Sequence, residues 1–315
     1  MGKYVAKRAL LAVLTVFIIS AITFFSMHAI PGDPFTSEKA MPADVRAAMM
    51  ARYNLDKPLG EQYALYMKGL MTGNWGISMK NGREIWTTIS TRFAISAKLG
   101  LMAALVAIVV GIVLGCVAAL NRNKLADRLI IFFTTLFTAM PSFVFGTLLL
   151  LVFCLQLKWV PVWQQGSNNF VLPVIALSAY PMAYITRMTK TSMLDALSQD
   201  YIRTARAKGV KPVWVLFKHA LRNEHLVIFK HALRNALIPV VTYVGPMIAY
   251  ILTGSMVVEN IFTIGGLGSQ FVSSITSRDY TLIMGTTIFL AVLMVVANLL
   301  TDIVYTLVDP RIRLE

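Results

Sequence analysis

The sequence predicts an all-α polytopic membrane protein with six transmembrane helices. Of the 315 residues, 57% are hydrophobic and only 14% are charged, where soluble domains carry roughly 45–50% and about 25%. A mean hydropathy of +0.67 leaves more apolar surface than one small domain can hide from water, so the solvent is lipid. Six apolar runs are long enough for the ~20 residues that a helix needs to cross the hydrocarbon core. They lie at 9–30, 96–120, 129–157, 170–186, 236–258 and 282–308.

The first run follows Lys3, Lys7 and Arg8. It is too long for a signal-peptide h-region and no small-x-small cleavage site follows, so it is expected to stay as an anchor. Met-Gly at the start lacks the Ser/Thr of a myristoylation site, because position 6 is Ala. The fourth run is the shortest and carries Pro173 and Pro181. Cys116 and Cys154 sit inside apolar runs without ligand spacing or a redox partner, and are expected to be small packing residues.

A net charge of +14 with a pI near 9.9 would suit a nucleic-acid partner, but its distribution argues otherwise. With the N-terminus inside, 18 Lys/Arg fall on the inner side and 10 on the outer, against 7 and 8 acids. That asymmetry is the positive-inside rule. The surplus charge is therefore topological, both termini are cytosolic, and no nucleic acid is implied. Residues 31–95, with "GNWGISM" at 73–79, are left as an external cap of short helices, and 187–235 as a cytosolic loop.

That loop repeats Phe-Lys-His-Ala-Leu-Arg-Asn at 217–223 and 229–235. Ahead of the repeat, Leu197, Tyr201, Ile202 and Ala205 recur at helical spacing from Asp195 to Lys208. Gly209 offers the left-handed residue that ends a helix, and Pro212 suits the first turn of the next. A helix–Gly–helix elbow between two spans can lie in a groove of another protein. The alternative is a solvated basic hairpin.

The elbow resembles the cytosolic loop of permeases from binding-protein-dependent ABC importers. Of that family's general signature only Ala205 and Gly209 match, but "DYIRTARAKG" (200–209) is similar throughout to the oligopeptide/dipeptide branch. His219-Ala220-Leu221-Arg222-Asn223 comes next, at the branch's spacing. "PGDPF" (31–35), "NLDKPLGEQY" (54–63), "AMPSFVFG" (139–146), "ALIPVVTYVGP" (236–246), "VVENIF" (257–262), "SRDY" (277–280) and "VDPRIR" (308–313) extend the likeness over nearly the whole chain. "IGGLGSQ" (264–270) departs from it, with Gly265 and Ser269 where the branch has Pro and Arg.

The resemblance implies a type I importer permease fold in a bacterial cytoplasmic membrane, working as one of two homologous permease subunits. It also implies two cytosolic ABC ATPases, an extracytoplasmic substrate-binding protein, and ATP with Mg held by the ATPases, with no cofactor on this chain. Peptides are the expected substrate, with glutathione or nickel as alternatives inside the family. Asp200, Tyr201, Arg203, Thr204, Ala205, Gly209, His219 and Arg222 are the residues expected to couple to the ATPases. The tandem copy adds twelve residues, enough to lengthen a helix by about 18 Å and rotate the chain beyond it by about 120°. Both copies cannot hold the family position, so one loops out, or the elbow is displaced, or the copy is a cloning scar.

No phosphate loop, nucleophile elbow or His-Glu-x-x-His motif occurs. A membrane-embedded protease would need a Ser–His or Asp–Asp pair in the spans, and a secondary transporter commonly shows inverted repeats; neither is present in the sequence. His28 is expected to pack at the outer interface, and His219, His225 and His231 to be solvated. Ionisable residues within spans are functional candidates by default, which singles out Asp302, although a hydrated or Arg-paired carboxylate near the inner interface is the alternative. Glu259 closes the fifth span outside, where it is expected to face the vestibule. Pro141, Pro239 and Pro246 interrupt helical ladders, which is tolerated where protein or a water-filled cavity satisfies the freed carbonyls. Pro141, Glu259 and Asp302 are thus the expected markers of a translocation path.

Overall fold

The computed structural model describes residues 2–32, 34–35, 41–164, 169–198, 239–248, 251 and 255–308, and along 2–7 and 302–308 the backbone alone. These residues are nearly all helical. Helix α1 (Gly2–Ala29) is followed by two short helices, α2 (Ala43–Arg52) and α3 (Leu59–Met71), then α4 (Ile85–Leu120), α5 (Leu125–Ala139) and α6 (Ser142–Leu149). A π-helical stretch, Leu150–Gln156, prolongs α6. Then come α7 (Val171–Ser198), α8 (Pro239–Ile248), α9 (Met256–Ile261), α10 (Leu267–Ser277) and α11 (Tyr280–Val308).

Four of the described helices, α1, α4, α7 and α11, are long and apolar enough to cross a membrane, and α5 with α6 and its π-helical extension reaches that length and hydropathy only as a sharply bent pair. The third predicted span is therefore not straight: it turns by 106° between Ala139 and Ser142. Pro141 causes the turn. It has no N–H to continue the ladder, and it pushes the preceding residue out of the α region. Met140 accordingly sits at φ −85°, ψ 125°. Pro181 has a milder effect, and α7 runs through it. Of the fifth predicted span, 236–258, the described part is α8, Ile251 and the residues leading into α9.

Three helices clearly outrun their predicted spans: α1 begins at Gly2, seven residues ahead of its apolar run, and α4 and α7 extend further still. The stretch "IWTTISTRFAI" ahead of residue 96 is too polar to extend an apolar run, yet α4 begins at Ile85. Likewise α7 continues twelve residues past 186 to Ser198, so the first part of the predicted cytosolic loop is helical. The helix outlasts its apolar run because polar side chains on its far end find partners within the protein, as Lys190 does in Asp127.

The centre of the bundle is the pairing of α4 with α7. Gly111 and Gly115 let the backbones meet, since a Cβ on Gly111 would lie 2.9 Å from Ile185 and one on Gly115 2.5 Å from Thr189 Cβ. Small residues at such contacts permit the close approach that van der Waals association in lipid requires. Ala104, Ala107, Ile185, Val240, Met247 and Ile251 then form one buried cluster joining α4, α7 and α8. Cys116 and Cys154 are buried packing residues, as expected.

Residues 41–84 form a cap on the ends of α1 and α11. Phe24, Met27, Phe35, Met79, Tyr280 and Met284 make its apolar base. Between α3 and α4 the chain folds into a tight hairpin with a single bridge, Ile77 to Glu84. The cap is thus two short helices plus a hairpin rather than helices alone.

Candidate functional site

A cavity of about 690 Å³ opens where the α5–α6 bend faces α7 and α8. Pro141, Pro181 and Pro246 all stand on its wall. Each comes from a different helix, so the breaks in three backbone ladders converge on one space. Thr138, Ser142, Tyr180 and Tyr243 add hydroxyls, Met247, Ile251 and Val258 add apolar surface, and among the described residues no charged side chain lines it. Tyr184 and Tyr243 lie nearby with ring centroids 4.3 Å apart. A neutral wall with scattered hydroxyls and bent backbone suits amide-bearing solutes better than a fixed charge, because it offers hydrogen bonds without an ion-pair trap.

Pro141 and Pro246, two of the three prolines expected to interrupt helical ladders, share this wall with Pro181 of the fourth predicted span. Pro239 is not among its lining residues, and Tyr180 and Tyr243 join it without any mark in their sequence context. Glu259 stands elsewhere. It is fully enclosed, 0% exposed, and does not face an open vestibule. Ser96 Oγ of α4 donates to its Oε1 at 2.6 Å, Ser255 Oγ donates to the same oxygen, and Ser269 N–H donates to Oε2 at 3.0 Å. Ser96 Oγ in turn accepts the Leu267 N–H at 2.8 Å. Gly266 leaves room for this carboxylate, as a Cβ there would sit 2.5 Å from Oε2. Glu259 therefore ties α4, α9 and the N-terminus of α10 into one knot, and buried acceptors are expected to be satisfied in this way. Ser269, which departs from the family wording, closes that turn by donating to Ile264 O at 2.7 Å.

Asp302 lies on α11, and its side chain is outside the described residues. Asp200, Tyr201, Arg203, Thr204, Ala205, Gly209, His219 and Arg222 also lie outside them, as does Pro212 and the repeated heptapeptide.

Motifs far apart in sequence meet in the cap. Arg278 Nη1 donates to Pro31 O at 2.9 Å, Lys80 Nζ to Pro34 O at 2.6 Å and Tyr280 Oη to Gly32 O at 3.4 Å. The 277–280 segment and the hairpin thus hold the 31–35 loop. Asp279 is 1% exposed. Its carboxylate accepts from Ser78 Oγ, from Met79 N–H at 3.1 Å and from Leu282 N–H at 3.2 Å, so it caps α11 and pins the hairpin at once. His28 packs against Phe24 and Tyr280, with centroids 4.3 and 5.0 Å away. Burial raises the phenols of Tyr53 and Tyr66 above the usual tyrosine value. Tyr53 donates to Ser78 O at 3.2 Å, while the buried Tyr66 hydroxyl has no hydrogen-bond partner among the described residues.

Residues 111–227 and 223–314 match the family described as binding-protein-dependent transport system inner membrane component. Residues 1–100 match the N-terminal region of the same kind of component. Over 317 aligned positions the chain is 42% identical to a dipeptide transport system permease protein, DppB, of Bacillus subtilis, covering 100% of this chain and 99% of that one. It is 40% identical to an oligopeptide transport system permease protein, OppB, of Haemophilus influenzae, covering 99% and 100%. Among solved structures, the inward-facing methionine ABC transporter MetNI aligns with a TM-score of 0.51 at 14% identity, over 71% of this chain and 97% of that one. An amino acid ABC transporter aligns with a TM-score of 0.50 at 16% identity, over 72% and 94%; these two likenesses speak to the fold.

Proposed function

This chain belongs to the family of binding-protein-dependent transport system inner membrane components, and from that premise we propose that it is a permease subunit of an ATP-driven peptide importer. The observation that carries the reading is likeness at about 40% identity, over the full length, to permeases named for dipeptide and oligopeptide transport. The neutral, hydroxyl-bearing cavity at Pro141, Pro181 and Pro246 supports it, and we assign that cavity to this chain's half of the translocation path.

The permease works beside a second, homologous permease subunit, two cytosolic ATPases that hold ATP and Mg, and an extracytoplasmic binding protein that delivers peptide. It sits in the bacterial cytoplasmic membrane with six spans, both termini and 199–235 inside, and the cap outside. ATP binding closes the ATPase pair, and the docked elbow, around Tyr201 to Gly209, moves with it as a rigid body. ATP drives the switch through its differential affinity for the two states. Asp200, Arg203, Thr204, His219 and Arg222 line the docking segment in this reading, and Asp302 stays a candidate on the inner half of α11.

The repeat is a tandem insertion in the segment after the elbow. The family match supports this, since it runs in two stretches whose overlap, 223–227, begins on the last residue of the first copy and ends just before the second. In reconstituted complexes, Ala205→Asp and Gly209→Val are expected to uncouple ATP hydrolysis from uptake, the first by an unpaired charge at the contact and the second by a β-branched residue at positive φ. Deleting Phe217 to Ile228 is expected to preserve or improve coupling. Unimpaired coupling in both substitutions would refute the docking role, and loss of uptake on deletion from an active chain would refute the insertion reading.

A further inference from the structure

Asp127 opens α5 and Lys190 lies on α7, eight residues before Ser198, beyond which the proposed docking segment begins. Their side chains meet at 2.6 Å and are 6% and 19% exposed. The other carboxylate oxygen of Asp127 accepts the Asn123 N–H at 3.0 Å, with Asn123 held in the left-handed region at φ 64°. Both oxygens of the carboxylate are therefore engaged, and little of either side chain meets solvent.

Its position gives it a use. From Lys190 back to Tyr180, α7 covers ten residues, or about 15 Å; from Asp127 forward to Thr138, α5 covers eleven, or about 16 Å. Tyr180 and Thr138 both line the cavity, and close to each stands a proline, Pro181 and Pro141. Two arms of equal length thus share an ion pair at one end and flank the cavity at the other. On its opposite side α7 is locked to α4 through Gly111 and Gly115, so these two move as one body. At its cytosolic end α5 is fastened to that body by Asp127.

We infer that the Asp127–Lys190 pair is the link that passes movement of α7 to α5, so that the bend at Pro141 tracks the docking segment. Both are positioning residues for transport. The inference rests on the importer reading of this chain.

The test uses the complete complex with partner permease, ATPases and binding protein in proteoliposomes, scoring peptide delivered per ATP hydrolysed. Asp127→Asn and Lys190→Met are expected to assemble and hydrolyse ATP while that ratio falls about fivefold or more; Lys190→Arg should keep it. Asp127→Cys with Lys190→Cys, with Cys116 and Cys154 replaced, supplies a second measurement in a single protein. Joined by a short reducible bifunctional thiol reagent it should regain the ratio, and reduction should remove it again. An unchanged ratio in the single variants, a ratio indifferent to linkage, or ATPase and uptake falling in proportion would overturn the link. Absence of ATP-driven peptide uptake by the unsubstituted complex would instead overturn the importer reading.

Discussion

Replacing Glu259 with alanine removes the acceptor for three donors at once. Ser96 Oγ and Ser269 N–H lie 2.6 and 3.0 Å from its oxygens, and Ser255 Oγ shares the first of them. The site is fully enclosed, so water does not readily take the carboxylate's place. A buried donor left without a partner costs about 1–3 kcal/mol. None of the three escapes the cost, since the two hydroxyls can turn only to poorer acceptors and the backbone N–H to none, so three donors at about 1–2 kcal/mol each set the total near 3–6 kcal/mol. At about 2 °C per kcal/mol the unfolding midpoint falls by roughly 6–12 °C. Glutamine fills the same volume. With its oxygen toward Ser269 N–H it keeps that bond, and its amide donates to the two serine oxygens instead of accepting from them, so their protons turn to backbone carbonyls one turn back. The loss is mainly charge assistance, about 1 kcal/mol. The assay is the monodisperse fraction remaining after heating in detergent, paired with peptide uptake by the complex. A carboxylate lining the path would behave in the opposite way, with glutamine impairing uptake at an unchanged midpoint. That pattern, or an alanine variant melting within about 2 °C of the parent, would refute the structural role.

Gly115→Val places a branched side chain where Thr189 Cβ is 2.5 Å and Thr186 O is 2.7 Å from the new Cβ. It is expected to cost at least about 1–3 kcal/mol by overpacking α4 against α7, read as a lowered midpoint in the same assay. Asp279→Ala strips the cap of α11 and releases the hairpin's Ser78 and Met79 from it, at about 2–4 kcal/mol. Limited proteolysis should then cut between 74 and 84 from outside while α4 and α7 stay intact. Orientation is checked by cysteine labelling in a chain lacking Cys116 and Cys154. Gly73→Cys should react from outside and Lys211→Cys from inside, and labelling of either from the opposite face would contradict the topology.

The apolar runs located α1, α4 and α11 because lipid imposes one-dimensional patterning: about 20 consecutive residues must be apolar. That signal fades where a helix leaves the hydrocarbon, which is why the start of α4 at Ile85 and the end of α7 at Ser198 were invisible to it. Pro141 announced a break in the backbone but not the 106° turn, since the angle is set by what α5 and α6 pack against. The cavity was half legible. Prolines within spans point to it, whereas Tyr180 and Tyr243 join it only through the meeting of α7 and α8. Glu259 shows the limit most clearly. An acid at the end of a span reads as a path-facing group until its partner, 163 positions away in Ser96, comes into view. Asp127 and Lys190 are the same kind of case, each an unremarkable surface charge in sequence and a partnered one in the fold. The motif 277–280 was legible as wording, and its physical meaning, a clamp on 31–35, is a property of the folded cap.

Peptide accumulation in proteoliposomes tests the importer assignment most directly. Vesicles holding this chain with its partner permease, both ATPases and the binding protein should accumulate labelled peptide only when ATP is supplied to the ATPase side, and vesicles lacking the ATPases should accumulate none. Accumulation without the ATPases, driven by an ion gradient alone, would contradict the assignment.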